Sequence, residues 1–153
     1  IKGFYLKYEL ERIYNLIFQF INDFLEKYGA INLYKSDTSL LCGFKSIDAI
    51  ICAIEITIKI AQINMSEALM PGGFLLKLGV NKGRITYTSD SNKLLNSPDI
   101  RHLEVIIENA KGYNTVFISD NIYNSLDSKI KNYFIKSHEK SEFNIYSFNV
   151  IFG

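Results

Sequence analysis

The stretch Tyr28-Gly29-Ala30-Ile31-Asn32-Leu33-Tyr34-Lys35-Ser36-Asp37-Thr38-Ser39-Leu40-Leu41-Cys42-Gly43-Phe44 decides how this chain folds. Two short apolar runs, 30–34 and 39–44, flank the polar turn Lys35-Ser36-Asp37-Thr38, which is the pattern of a β-hairpin. Asp37 falls at its tip. On the N-terminal side, Leu10, Ile13, Ile17, Phe20, Ile21, Phe24, Leu25 and Tyr28 recur at helical spacing, with Glu9, Glu11, Arg12, Asn22 and Asp23 on the other face. Gly29 is a natural left-handed terminator, so a long amphipathic helix enters the hairpin.

On the C-terminal side, Ser46 is placed to cap a helix with Asp48 near its positive end. Ile47, Ile50, Ile51, Ile54, Ile58 and Ala61 carry that helix to about Ile63. Residues 64–73, with Pro71-Gly72-Gly73, read as a loop. Phe74–Asn81 reads as a strand, Lys82-Gly83 as a turn and Arg84–Thr88 as a returning strand. Ser89–Ser97 is polar and loop-like. Pro98 suits the first turn of a helix with Ile100, Leu103, Ile107 and Ala110 on one face, closed by Gly112. Thr115–Ser119 is a buried strand, and Ser119 or Asp120 caps a short helix. Two late strands, Tyr133–Ser137 and Phe143–Ile151, flank the charged stretch His138–Glu142. With a first strand placed before Ile1, this order is a βαββαβ core with an extension. It is an α+β arrangement with a mostly antiparallel sheet and helices on one face. The other face then needs cover, for instance from a partner subunit. The expectation is one domain, 1–153, that is a fragment lacking its first strand.

Composition removes several classes of function. Of 153 residues, 48% are hydrophobic and 22% charged, which excludes a disordered chain. The net charge of +1 offers no general field for nucleic acid or an anionic membrane. Cys42 and Cys52 sit in apolar runs and read as buried thiols in a reducing compartment. No apolar run is long enough to cross a bilayer, so a membrane enters only through a part of the protein outside this sequence. The expected location is cytoplasmic.

The order of elements and four local motifs resemble the class III adenylate and guanylate cyclase catalytic domain. Ile1-Lys2-Gly3-Phe4 looks like the end of that family's Asp-Ile-x-Gly-Phe opening. Tyr28–Asp37 is similar to its Gly-Gly-x-x-x-Lys-x-x-Gly-Asp hairpin. Leu78-Gly79-Val80-Asn81-Lys82-Gly83 resembles its Gly-Ile-His-x-Gly strand end, and Ala110–Ser119 the segment after its catalytic helix. The resemblance implies a ferredoxin-like fold of the nucleotidyl cyclase type. It also implies a chemistry in which a ribose 3′-hydroxyl attacks the α-phosphate with two divalent ions between carboxylates. Members are usually dimers with sites at the interface.

Carried over residue by residue, the resemblance implies that the site has decayed. Asp37 falls on one metal carboxylate, though Asp at a hairpin tip is common as a plain turn residue and one carboxylate alone binds Mg²⁺ poorly. The other carboxylate is expected before Ile1. Leu33 stands where the family uses Lys to read the purine, and an aliphatic chain donates no hydrogen bond. Ser36 replaces a glycine. His102 and Ile106 stand at the Asn-x-x-x-Arg pair, and Ile106 cannot stabilise a pentacovalent phosphate. Asp90 or Asp99 is the candidate for the second base-reading acid. No catalytic residue is assigned, and no cofactor is expected unless the domain is active, when Mg²⁺ or Mn²⁺ would serve.

The expected function is a noncatalytic cyclase-like module that dimerises or docks on another domain of a larger signalling protein. The alternative is an active cyclase, or half of a heterodimeric one, using ATP or GTP. A relative of the diguanylate cyclases is a third reading, but Lys35-Ser36-Asp37-Thr38-Ser39 keeps little of their Gly-Gly-Asp/Glu signature.

Overall fold

A computed structural model describes residues 2–10, 15–36, 38–45, 47–66, 75–84, 90–110, 112–139 and 144–148. Strand β1 (Lys2–Leu10) is followed by α1 (Asn15–Lys27), then the hairpin β2 (Ile31–Lys35) and β3 (Ser39–Phe44). Next come α2 (Asp48–Ser66), β4 (Leu76–Arg84), α3 (Ser91–Leu95) and α4 (Pro98–Asn109). The chain continues through β5 (Thr115–Ser119), α5 (Asp120–Ser125), α6 (Ser128–Lys131), β6 (Phe134–Glu139) and β7 (Asn144–Phe148). The seven strands form one sheet in the order β2-β3-β1-β4-β5-β7-β6. Only the β4–β5 pair is parallel, as expected of an α+β fold with a mostly antiparallel sheet.

The first strand expected before Ile1 is β1 itself. It pairs antiparallel with β3 on one side and with β4 on the other, near the centre of the sheet. Its side chains alternate: Leu6 and Tyr8 are fully buried against α1 and α2, whereas Tyr5 packs on the opposite face. Leu10 fits both the period of two and the period of 3.6. Its ladder pairing with Leu76 makes it strand. Helix α1 accordingly begins at Asn15. It stops where expected: Gly29 takes φ +70 and the Ala30 N–H donates to the Leu25 carbonyl at 2.9 Å.

Helices cover both faces of the sheet, not one. Ile17 and Ile21 of α1 and Ile50, Ile56 and Ile60 of α2 pack with Leu6, Tyr8, Cys42, Leu78 and Val80 on the first face. Leu94 of α3 with Ile100 and Leu103 of α4 packs with Tyr5 and Leu41 on the second. The cover expected from a partner is thus supplied in part by the chain's own α4. It lies close because β4 carries glycine there. A Cβ on Gly79 would sit 2.9 Å from Ile107 Cδ1, and one on Gly83 would collide with the Asp99 side chain.

Three further expectations change. Lys82-Gly83 is no turn, since β4 runs through it and Gly83 pairs with Gly3. The polar segment before Pro98 holds α3, whose N-terminus is capped by Asp90. His138 and Glu139 belong to β6, paired with Ile145 and Asn144, so the late hairpin is longer than its charge pattern indicated. The expected cap Ser46 and the proposed strand residues 85–88 lie outside the described residues, and α2 runs to Ser66.

Tyr8 is fully buried, and its hydroxyl has no hydrogen-bond partner among the described residues. Burial also raises its pKa. Tyr8→Phe should therefore leave stability unchanged or raise it by up to about 1 kcal/mol in urea unfolding. A loss of that size would show that the hydroxyl has a partner.

Candidate functional site

The hairpin tip is closed by Ser36. Its N–H donates to the Ser39 carbonyl at 2.9 Å, and its Oγ accepts the Ser39 N–H at 3.1 Å. The residue replacing the expected glycine thus latches the turn. Asp37, the candidate metal carboxylate between them in sequence, lies outside the described residues. The β1 register shows which of its residues lie beside the hairpin tip. Lys2 pairs with Arg84, at the end of the sheet remote from the hairpin tip, whereas Glu9 pairs with Ser39 beside it. Lys2-Gly3-Phe4 is therefore the start of the first strand, and Glu9 lies near its other end. Among the described residues, no group of three or more His, Cys, Asp or Glu is gathered to hold a metal.

Leu33 is on β2 where the ladder to β3 shifts register between Asn32 and Tyr34. It is half-buried and packs with Tyr34 and Leu95 onto the cluster of Tyr5, Leu41, Leu94, Ile100 and Leu103. Both acids considered as partners for a base have structural duties. Asp90 Oδ1 accepts the N–H groups of Asn92 and Lys93 at 3.0 and 3.4 Å, capping α3. Asp99 Oδ2 accepts the Arg84 N–H at 3.0 Å.

On α4, Ile100, Leu103, Ile106 and Ile107 face the sheet. Ile106 is fully buried among Ala110, Phe117 and Ile145. It is a core position, so no phosphate-facing residue stands there. The outer stripe has Arg101 and Glu108 exposed, with His102, Glu104 and Val105 half-buried. Glu104 accepts from Lys7 Nζ at 3.0 Å, tying α4 to β1.

Sequence reading missed Lys7 because β1 was not recognised. It also missed a buried network at the start of α4. Ser119 Oγ donates to Asn81 Oδ1 at 2.7 Å, and Asn81 Nδ2 donates to the Asp99 carbonyl at 3.0 Å. Ser119 Oγ also accepts the Ile122 N–H at 3.3 Å, capping α5. Tyr5 Oη donates to the Gly83 carbonyl at 2.7 Å. Asn81 and Ser119 are both fully buried, so these bonds carry structural weight. A polar residue flanked by Val80 and Lys82 in an apolar strand was the available signal.

The strand order, the central β1, the β2–β3 hairpin beside it and α4 laid across β4 are now all placed. The chain has the fold of class III adenylate/guanylate cyclase catalytic domains. An adenylate/guanylate cyclase/hydrolase from Silicibacter pomeroyi superposes with a TM-score of 0.73 at 13% identity, covering 99% of this chain and 98% of that one. The guanylyl cyclase domain of the RhoGC fusion protein from the aquatic fungus Blastocladiella emersonii is similar in a monomeric form. There the TM-score is 0.71 at 12% identity, over 96% of this chain and 93% of that chain. Its dimeric form gives 0.70 at 13%, over 96% and 95%. No family model and no curated protein matches the sequence. The cyclase-like domain keeps the fold at an identity too low to carry activity with it. No helix among the described residues is long and apolar enough to cross a membrane.

The α4 packing separates two substitutions. Ile106→Arg should cost about 3 kcal/mol or more by burying an unpaired charge, whereas Val105→Arg should stay within about 0.5 kcal/mol. Equal losses in thermal or urea unfolding would contradict the assignment of faces. The thiols make a second prediction. Burial raises both Cys42 and Cys52 from 9.0 to about 12, with Glu55 and Asp48 adding to the effect on Cys52. Between those values the unfolded thiols ionise and the folded ones do not. Their contribution to stability therefore falls as pH rises from 9 toward 12. Replacing both with alanine should flatten that part of the stability–pH curve.

Proposed function

We propose that this domain is a noncatalytic, cyclase-like module of a larger cytoplasmic signalling protein, working by pairing with a second copy of itself or with a neighbouring domain. The observation that carries this reading is the apolar cluster around Leu33. Leu33, which the resemblance puts at the purine-reading Lys, packs like Tyr34 and Leu95 against the cluster of Tyr5, Leu41, Leu94, Ile100 and Leu103. Asp90 and Asp99 are bound to backbone N–H groups. The outer stripe of α4 presents Val105 in the turn where a cation would be needed, while Ile106 is in the core. Losing one charged donor at a transition state commonly costs about 10²–10³ in rate, and several are missing together. The guanylyl cyclase domain of RhoGC has been seen as a monomer and as a dimer, which makes dimerisation of this fold a reasonable mode of action.

A second reading has one observation in its favour. Glu9 stands opposite Ser39, so this chain has an acidic residue on β1 beside the hairpin that contains Asp37. In that reading the domain is an active cyclase, or half of a heterodimeric one, with Mg²⁺ or Mn²⁺ at these carboxylates.

Incubation of the protein with ATP and with GTP in the presence of Mn²⁺ should yield no cyclic nucleotide above a protein-free control. Robust turnover that disappears in Asp37→Ala or Glu9→Ala would replace the first reading with the second.

A further inference from the structure

A cleft with a volume of about 560 Å³ lies at the end of the sheet opposite the hairpin tip, lined by Lys82, Gly83, Arg84, Asp99 and Asn121. We propose that it is a binding site for a phosphorylated small molecule, held by the side chains of Lys82, Arg84 and Asn121. The site is distinct from the cyclase-like one. Arg84 pairs with Lys2 and Ser39 pairs with Glu9 on the same strand. The seven-residue interval puts the two ends about 23 Å apart.

The walls come from three elements and are held in place. Lys82 and Arg84 end β4, the central strand that pairs with both β1 and β5. Asp99 belongs to the first turn of α4, and its position is locked twice, through Arg84 N–H to Oδ2 and through Asn81 Nδ2 to its carbonyl. Asn121 lies in the first turn of α5, whose N-cap Ser119 bonds to Asn81. One buried asparagine therefore fixes both helix starts that flank the cleft. Gly83 lets the Asp99 side chain lie directly against β4, where any side chain would collide with it.

The charges favour an anion. Lys82 and Arg84 are exposed, and neither side chain is in an ion pair with another described residue. Asp99 is the one acid among the described residues of the lining, and its Oδ2 already accepts a backbone N–H. Among the described residues of the lining, two cations against one committed carboxylate leave a net positive balance. A guanidinium and an ammonium two residues apart, with a neutral amide opposite, suit phosphate oxygens. The volume falls in the range of about 300–1,000 Å³ usual for small-molecule sites, larger than a bare phosphate requires. The occupant is therefore phosphate joined to a further group. A net charge of +1 for the whole chain argues against nucleic acid as the source of that phosphate.

Calorimetric titration of the whole chain with inorganic phosphate, pyrophosphate and ADP tests the site, with acetate as a monovalent control. Pyrophosphate or ADP should bind saturably at roughly 1 mM or tighter, with phosphate weaker and acetate silent. The Lys82→Gln/Arg84→Gln pair should weaken binding about tenfold or more while leaving the circular dichroism spectrum and unfolding midpoint unchanged. Asn121→Ala should give a smaller loss. Absence of saturable binding by every probe, or binding undiminished in the double variant, overturns the proposal. Binding abolished by Asp37→Ala and kept in the double variant would place the ligand at the hairpin end, which also overturns it. Neither result depends on whether the domain makes a cyclic nucleotide.

Discussion

Helix α4 lies flat on the middle of the sheet because β4 carries no side chain at Gly79 or Gly83. These two positions and Asn81 between them share one face of the strand. Gly79 admits Ile107 and Leu103, Gly83 admits Asp99, and Asn81 reaches the Asp99 carbonyl. The contact sets the depth and tilt of α4, and with them which of its residues point inward. It also sets the start of α5, because Asn81 binds Ser119, the residue that caps it. A polar side chain with no exposure is tolerated there because both ends of its amide are bonded.

The depth of α4 shapes the face on which a cyclase-like site would be sought. Ile100 and Leu103 reach Tyr5 and Leu41, and α3 brings Leu94 and Leu95 to Leu33 and Tyr34. Hydrophobic packing thus surrounds Leu33. It stabilises the fold by removing apolar surface from water, and an aliphatic chain at position 33 donates no hydrogen bond.

The sheet has a second consequence, at its far end. Main-chain pairing of β1 with β4 carries Lys82 and Arg84 to the end of the strand, where both residues are exposed. The same strand therefore supports a packed apolar face in its middle and a cationic rim at its end. Lys7, by contrast, is drawn under α4 and bonded to Glu104. Position along the sheet, more than residue type, decides which cations remain available to a ligand.

Much of the fold was legible where one periodicity had no rival. The β2–β3 hairpin, α2, α4 behind Pro98, β5 and the glycine terminator at 29 all followed from local pattern, whereas α4 ends at an extended Ala110, ahead of Gly112. Local pattern failed where two readings were equally good. Leu10 matched both a helix and a strand, and Lys82-Gly83 carried a turn signature inside a paired strand. The candidate site divided the same way. The absence of a donor at Leu33 is a property of the residue type and needs no structure. The register of Glu9 against Ser39, the inward aim of Ile106 and the duties of Asp90 and Asp99 required it. The sequence by itself determined which groups are present, because side-chain chemistry is local. Only the tertiary structure decided where those groups face and which meet, because strand pairing and helix packing join residues far apart in the chain.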